Sequence, residues 1–273
     1  MSIFVVDRGE QPSEKRRFKP YFKGKWPTEP EARWNLIRRF LSHWSRPADN
    51  PLSETCDISS KRMKKAAAMF DGQLSFSIRQ WFVLIEQALA VDAPVIRDYP
   101  VLQPIEDFFQ DPGVSNALTI LESGESDIFW AVPNDRVQEP DPPVQIFQRY
   151  DESSSALLGT VKSVSEFALQ YLCVYNEFAI GTTEWFSANA KSAAEGQSAV
   201  DWFDHVLSFP QDARLFSRFQ ILESQDIAAI VNGEQINVSV FCDPATLDLP
   251  PFLVKEMRIH QKLREEFRKA GGK

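Results

Sequence analysis

Apolar residues recur at helical spacing in several parts of the chain. In 77–90 the apolar positions Ile78, Trp81, Phe82 and Ile85 form a broad stripe, and a stripe of this width is typical of a helix that packs into the core. We therefore expect Trp81 to be buried. Similar patterns predict helices over 31–45, 58–71 and 182–209 (interrupted near Gly196), after the capping box Ser163-Val-Ser-Glu166, and from Pro250-Pro251 onward.

Between these helices the pattern changes to that of β-strands. Asn232-Gly233 is typical of a type I′ hairpin turn. The residues after it alternate between apolar and polar, as in a half-buried strand. The polar segment 151–155 is predicted to be a turn. Short apolar runs bounded by turn residues predict strands over 117–121, 127–132, 143–149, 215–222 and 226–231.

Together these segments predict an α+β fold. We expect a single domain over 31–273, with one antiparallel sheet of about five to six strands and helices packed largely on one face. The 232–233 hairpin should belong to that sheet. Residues 1–30 are rich in basic residues and contain four prolines, so an extended arm is expected there. The arm's aromatic residues favour anchoring to the core, although aromatics interleaved with basic residues also occur in single-strand nucleic-acid binders.

Charge is unevenly distributed along the chain. The formal net charge is −8, although the first 28 residues are basic. An acidic body repels phosphate backbones, so we expect no direct nucleic-acid binding and, instead, a basic protein partner. No apolar run approaches the length of a membrane helix, the N-terminus lacks a secretory pattern, and the three cysteines lie far apart. We therefore predict a cytoplasmic protein with reduced cysteines that does not bind membranes.

Residue types that serve in catalytic or metal sites are present, but without the spacing that such sites need. None of the three histidines has a metal-binding partner at i+4, and no paired-cysteine, phosphate-loop, dinucleotide or esterase motif occurs. Acidic residues are frequent, yet a catalytic carboxylate pair cannot be recognised from sequence spacing. We predict no catalytic residue, no metal and no cofactor. An enzyme whose site is assembled from scattered residues stays as an alternative.

Four short motifs, in their order along the chain, resemble the SUKH superfamily. That superfamily includes the yeast cell-wall assembly regulators and many bacterial immunity proteins. The motifs are the helix start over 74–82, Trp130-Ala-Val132 in a strand, Asp141-Pro-Pro-Val144 at a strand entry, and Ser163 to Phe167 at the start of a helix. The chain departs from the family pattern at Ser75, where proline is usual, and in lacking an acidic-glycine turn after the 74–82 segment.

The resemblance implies non-enzymatic protein binding. In the bacterial branch this means an immunity protein that neutralises a toxin, such as a nuclease, by occluding it; the alternative is a regulatory scaffold or adaptor like the eukaryotic members. Acidic residues that flank one strand pair would lie close together and capture a basic toxin domain. Trp130, on a strand of that pair, is either an anchor for the partner or a core residue. The predicted protein-binding residues are Glu122, Glu125, Asp127, Trp130, Glu139, Asp141, Pro142 and Pro143.

Overall fold

The described part of the computed structural model forms two compact units, the first within 26–175 and the second within 184–270. Most of the predicted arm and of the predicted 58–71 helix lies outside it, although residues 67 and 68 are helical. The described residues are 26–44, 67–68, 70, 73–90, 117–122, 128–150, 154–175, 184–208, 219–224, 227–232, 235–240 and 242–270.

The first unit combines a four-stranded antiparallel sheet with three helices among its described residues. Its strands pair in the order in which they occur in the chain, β1-β2-β3-β4, so each strand lies beside its sequence neighbour. Among the described strands, β1 and β4 are therefore the two edges of the sheet. The elements are α1 (Pro30–Trp44), α2 (Phe76–Ala90), β1 (Ala117–Glu122), β2 (Ile128–Pro133), β3 (Val144–Arg149), β4 (Ser155–Val161) and α3 (Val164–Tyr175).

Trp81 is central to the core of the first unit. Its side chain is fully buried, which confirms the prediction from the apolar stripe of α2. The indole ring packs edge to face on Phe167 and Tyr171 of α3, with centroid distances of 5.0 and 5.7 Å. The indole Nε1 donates a hydrogen bond of 3.1 Å to the Ile120 carbonyl of β1. A single side chain therefore joins two helices to the sheet.

The second unit contains a five-stranded antiparallel sheet with the order β5-β9-β8-β7-β6. Its first strand pairs with its last, so the sheet is completed by residues about fifty positions apart, as in the pair Glu184 and Val240. The elements are β5 (Glu184–Asn189), α4 (Ala193–Trp202), β6 (His205–Ser208), β7 (Phe219–Ser224), β8 (Ile227–Asn232), β9 (Gln235–Val240), the 3-10 turn Pro244–Thr246, and α5 (Pro251–Lys269).

Alternation along β9 explains the core of the second unit. Ile236, Val238 and Val240 are buried together with Phe186 of β5, while Gln235 and Asn237 are partly exposed; Ser239 departs from the alternation and is also buried. The helix α5 contributes the inner-face residues Leu253 and Met257 to the same cluster. Proline is compatible with the start of α5 because backbone N–H groups in the first turn of a helix make no intrahelical hydrogen bond.

The α+β class and the antiparallel pairing are confirmed, and the predicted strands that fall on described residues form close to their predicted bounds. The strands lie in two sheets, of four and five, rather than in one of about five to six. The described residues form two compact units, and the β8–β9 hairpin belongs to the second sheet. Alternation identifies which face of a strand is buried but does not identify its neighbour, so the sequence pattern could not divide the strands between sheets.

Three strands were missed. The segment predicted as a polar turn runs into β4, and the segment predicted as an interrupted helix contains β5 and β6 on either side of the shorter helix α4. In the β8–β9 hairpin, Asn232 pairs with Gln235, so the two linking residues are 233–234, one position later than predicted. No helix in the described ranges is both long and apolar enough to span a membrane.

Candidate protein-binding surface

The loop between β2 and β3, residues 134–143, holds half of the predicted binding residues. Its backbone is bonded to the start of α2: Ser75 N donates to the Val137 carbonyl at 2.8 Å, and Ser77 N donates to the Pro140 carbonyl at 3.2 Å. Ser75 Oγ also accepts a hydrogen bond from Ile78 N at 3.2 Å, which caps the helix. A proline at 75 would have neither the N–H that donates to Val137 nor the hydroxyl that accepts from Ile78 N, so serine at this position has a structural role.

Pro142 and Pro143 are buried at the entry to β3. The Pro142 carbonyl accepts a hydrogen bond of 2.9 Å from Val164 N, the first residue of α3. Because proline has no N–H, two prolines in sequence leave no backbone donor to satisfy in this buried segment. Because both prolines are buried, they pack inside the unit and do not lie on an exposed surface.

The Asp141 carboxylate lies inside the first unit, with a side chain that is 6% exposed. Its Oδ1 accepts from Ser165 N at 3.0 Å, and its Oδ2 accepts from Ser165 Oγ at 2.5 Å. Arg33 Nη1 forms an ion pair with Oδ2 at 2.9 Å. A negative charge at the N-terminus of α3 also meets the positive end of the helix dipole. Asp141 therefore holds α1 and α3 to the β2–β3 loop, and the prediction of a surface acid was wrong.

Arg33 extends this network across α1. Its Nε donates to the Pro27 carbonyl at 2.6 Å, and its Nη1 is also 3.3 Å from Ser163 Oγ. The guanidinium lies over the Trp26 ring, 5.6 Å from the centroid. The flat guanidinium thus serves several partners at once, as its fixed set of donors allows.

The predicted capping box at the start of α3 is half formed. Ser163 Oγ accepts from Glu166 N at 3.2 Å, but Glu166 Oε2 is buried and has no hydrogen-bond partner among the described residues. Desolvation raises the pKa of the Glu166 carboxyl, and the positive charge of Arg33 opposes that shift. One turn further on, Gln170 is fully buried, and within the described part of the chain neither its Oε1 nor its Nε2 has a hydrogen-bond partner.

Trp130 is a core residue. Its side chain is 5% exposed and packs on α3, with ring centroids 6.3 Å from Phe167 and 6.4 Å from Tyr171. Of the two interpretations offered by the sequence, the position in the core is the one observed.

Glu139 is more exposed, but its charge is compensated locally. Its Oε1 and Oε2 accept hydrogen bonds from Arg136 Nε and Nη2 at 2.6 and 2.7 Å. This bidentate pair lowers the pKa of Glu139, chiefly through the hydrogen bonds. A carboxylate already held by an arginine offers less attraction to a basic partner.

The predicted acidic residues that can be placed do not all lie at one end of β2. Glu122 pairs with Phe129 at the start of β2, whereas Glu139 and Asp141 follow the end of that strand at Pro133. A strand of six residues spans roughly 17 Å, since each residue rises about 3.3 Å. Glu125 and Asp127 fall outside the described residues, as does the Glu122 side chain. Glu122 and the pair Glu139 and Asp141 thus lie at opposite ends of β2, and a single surface formed by all five acids stays a prediction.

A different surface, missed in the sequence, lies at the edge of the same sheet. Leu157 and Leu158 on β4 are 54% and 38% exposed, and Tyr150, which follows β3, is 66% exposed. The β3–β4 pairing is irregular between Ile146 and Phe147, which moves the register by one residue past Leu158. We call Tyr150, Leu157 and Leu158 the apolar edge. The only signal in the sequence was the pair of leucines in a segment without charged residues.

Within the described ranges, no group of three or more histidine, cysteine, aspartate or glutamate side chains could hold a metal ion. Cys242 is partly buried, and its Sγ donates to the Asp243 carbonyl at 3.6 Å.

Comparisons with protein-family models, with curated proteins and with solved structures found no match to this chain.

Proposed function

We propose that the chain is a non-catalytic protein-binding protein and that it contacts its partner through β4, the edge strand that carries the apolar edge. The observation that carries this proposal is the exposure of Leu157 and Leu158 on a strand that has one neighbour, β3, among the described strands. An exposed apolar edge strand favours association with another chain.

The chemistry of β4 suits the addition of a partner strand. Ser155–Val161 contains neither a charged residue nor a proline, which are the residues that commonly protect an edge from pairing. Main-chain hydrogen bonds to an edge strand provide affinity, and pockets or side chains beside it provide specificity. In this mode the leucines and Tyr150 would make the apolar contacts.

Buried anchors hold this sheet in place, which supports a binding role. The β2–β3 loop is bonded to α2 and α3, and the Arg33–Asp141 ion pair joins α1 to α3 through the same loop. A surface built on a rigid scaffold loses less conformational entropy when a partner binds. The buried network would therefore favour binding by keeping the sheet rigid, without contacting the partner itself.

The class of partner follows from the resemblance and the charge. The SUKH-like motifs favour an immunity protein of the cytoplasm, and the net charge of −8 favours a basic toxin domain, such as a nuclease. The immunity protein would neutralise the toxin by occluding its active site. Long-range attraction would speed association, and contact at the apolar edge would slow dissociation.

The test begins with capture of the partner from native cells by the immobilised full chain, followed by mass spectrometry. Binding kinetics of the identified partner are then measured with the wild type, Leu157→Lys and Leu158→Lys. Each lysine should weaken binding at least about tenfold, mainly through faster dissociation. Leu263→Lys, at an apolar side chain of the second unit that is 43% exposed, is the matched control. Equal binding by all three variants and the wild type would refute contact at the apolar edge.

A regulatory adaptor is the second candidate, because the second unit exposes apolar residues of its own. Ile259, Leu263 and Phe267 of α5 are 43%, 43% and 39% exposed, at a spacing of four residues along the helix. An immunity protein should inhibit the captured toxin at a one-to-one ratio. Capture of two proteins at once, one lost in Leu157→Lys and the other in Leu263→Lys, would favour the adaptor instead.

A further inference from the structure

The outer side of α5 forms a groove that combines apolar and cationic side chains. The groove encloses about 590 Å³. Its lining includes the apolar residues Leu249, Val254 and Ile259 and the cationic residues Lys255, Arg258 and Lys262. The inner side of the helix is occupied by the core, where Leu253 and Met257 are buried. Leu249 is itself part of that core and Val254 packs against it, so the groove borders the core, and Ile259, which is 43% exposed, is an apolar side chain open to a ligand.

The charge of α5 is opposite to that of the chain as a whole. The helix has six lysines and arginines against three glutamates, in a chain of net charge −8. Neither Lys255 nor Arg258 forms an ion pair within the described part of the chain. Lys262 lies 3.8 Å from Glu266, but both side chains are more than half exposed, so this pair contributes little. The three cations of the groove are thus available to an acidic ligand.

We propose that this groove binds an acidic segment of a partner protein, one that carries apolar side chains among its glutamates and aspartates. The apolar side chains would remove water from Ile259, which is 43% exposed, and from the partly exposed Val254. The carboxylates would pair with Lys255, Arg258 and Lys262. Complementary charge selects against basic and neutral segments, while apolar burial supplies part of the affinity.

A protein segment suits the groove better than an anionic membrane does. A bilayer needs a continuous apolar face with cations beside it and few acids. On α5 the exposed stripe Ile259, Leu263 and Phe267 shares its side of the helix with Glu256 and Glu266, as follows from the helical spacing.

This inference is independent of the proposed contact at β4, because it concerns other residues in the other unit. Substitutions at Leu157 and Leu158 should leave it unchanged. Failure of one proposal therefore does not imply failure of the other.

The experiment uses the full chain and a labelled synthetic peptide of eighteen residues, with leucine on one helical face and glutamate elsewhere, followed by fluorescence polarisation. The reference peptide has lysine in place of every glutamate. We expect saturable binding of the glutamate peptide, weakening as salt increases, and no binding of the lysine peptide. The double variant Arg258→Glu with Lys262→Glu should bind at least about tenfold more weakly, because two attractions become repulsions.

Arg268→Glu with Lys269→Glu is the matched control, since it makes the same change of charge on the same helix outside the groove lining. It should change the affinity by less than about twofold if the groove is the site. Ile259→Ser should weaken binding while leaving the charge unchanged. The milder pair Arg258→Gln with Lys262→Gln repeats the test if the charge reversal alters the circular dichroism spectrum.

Three results would overturn the proposal. The first is no saturable binding of the glutamate peptide, and the second is equal weakening by the two double charge reversals. The third is tighter association with phosphatidylserine vesicles than with the glutamate peptide, which would assign α5 to a membrane surface.

Discussion

The two units bury different kinds of side chain. In the described part of the first unit, eight polar or charged residues are buried, against three in the second. The first unit contains the Arg33–Asp141 ion pair and the fully buried Gln170. The core of the second is a cluster of aliphatic and aromatic side chains from β5, α4, α5 and the strands between them.

This difference shows two ways of fixing the positions of helices. In the second unit, apolar burial holds α5, and contacts of that kind are tolerant of small shifts. In the first unit, hydrogen bonds between α1, α2, α3 and the β2–β3 loop require particular distances and directions. The polar network costs desolvation, and in return it specifies one arrangement of the three helices.

The largest expected effect compares two tryptophans. Trp81 is fully buried, whereas Trp202 of α4 is half-buried, and the Nε1 of each donates to a backbone carbonyl. Trp81→Ala should lower the free energy of unfolding of the first unit by about 3–5 kcal/mol, through lost burial and a cavity. Trp202→Ala should cost the second unit about 1–2 kcal/mol because less area is buried. Amide hydrogen exchange measures each unit separately, and equal losses would contradict the difference in packing.

The second comparison concerns two aspartates that accept a hydrogen bond from a backbone N–H. Asp141 is buried and paired with Arg33, whereas Asp243 is exposed and its Oδ1 accepts from Ala245 N at 3.0 Å. Asp141→Asn should cost about 2–4 kcal/mol because Arg33 keeps its charge without a counterion. Asp243→Asn should cost less than about 1 kcal/mol. The same exchange measurement tests both, and similar small costs would mean that the network adds nothing to stability.

The third comparison concerns a substitution that should raise the free energy of unfolding rather than lower it. Gln170→Leu should stabilise the first unit by about 1–2 kcal/mol, since it removes two buried polar atoms that have no partner. Gln197 of α4 is exposed, and its Nε2 donates to Asp201 Oδ1 at 2.6 Å. Gln197→Leu should change stability by less than about 0.5 kcal/mol. A destabilised Gln170→Leu variant, with the control unchanged, would show that the amide has a partner in solution.

The smallest effect is a dependence on pH, and it compares two helix starts with the same Ser-x-x-Glu spacing. In the second unit both side chains are hydrogen-bonded: Ser192 Oγ accepts from Glu195 N, and Glu195 Oε2 accepts from Lys191 N, one residue before the N-cap. In the first unit burial raises the pKa of Glu166. The folded state then retains a proton that the unfolded chain has lost, so stability falls as pH rises through the interval between the two pKa values.

Glu166→Gln should remove that part of the pH dependence and stabilise the first unit more at neutral than at acidic pH. Glu195→Gln should leave the pH dependence of the first unit unchanged. Exchange rates corrected for intrinsic chemistry, compared across pH, provide the measurement. An identical pH dependence in the wild type and Glu166→Gln would contradict the raised pKa.

Local patterns predicted the elements whose signal is contained in one segment. The helices α1, α2 and α5 begin within a residue or two of their predicted starts, because apolar spacing and prolines mark them. The strand β4 escaped, since Leu157 and Leu158 are adjacent and the register is irregular there, so alternation is lost. The sequence Ser192 to Glu195 also has the Ser-x-x-Glu spacing of a helix start. It was overlooked because a single longer helix was predicted over 182–209.

The candidate site could be predicted less well, because burial and pairing depend on distant residues. Asp141 has the sequence surroundings of a surface turn, and nothing near it indicates Arg33, which is 108 positions away. Trp130 likewise becomes a core residue only through contact with α3. Sequence spacing identified the right loop but could not tell whether its acids face water or the interior.

The strand order of the second sheet has a consequence for synthesis of the chain. In the first sheet each strand pairs with its predecessor, so the sheet can grow as the polypeptide leaves the ribosome. In the second sheet β5 pairs with β9, so Glu184 cannot pair until Val240 has been synthesised. Such non-local pairing slows folding. A nascent chain halted before residue 235 would therefore contain β5 but not β9, the strand with which β5 pairs. Phe186 of β5 would then stay exposed, and accessible to chaperones, until β9 is synthesised.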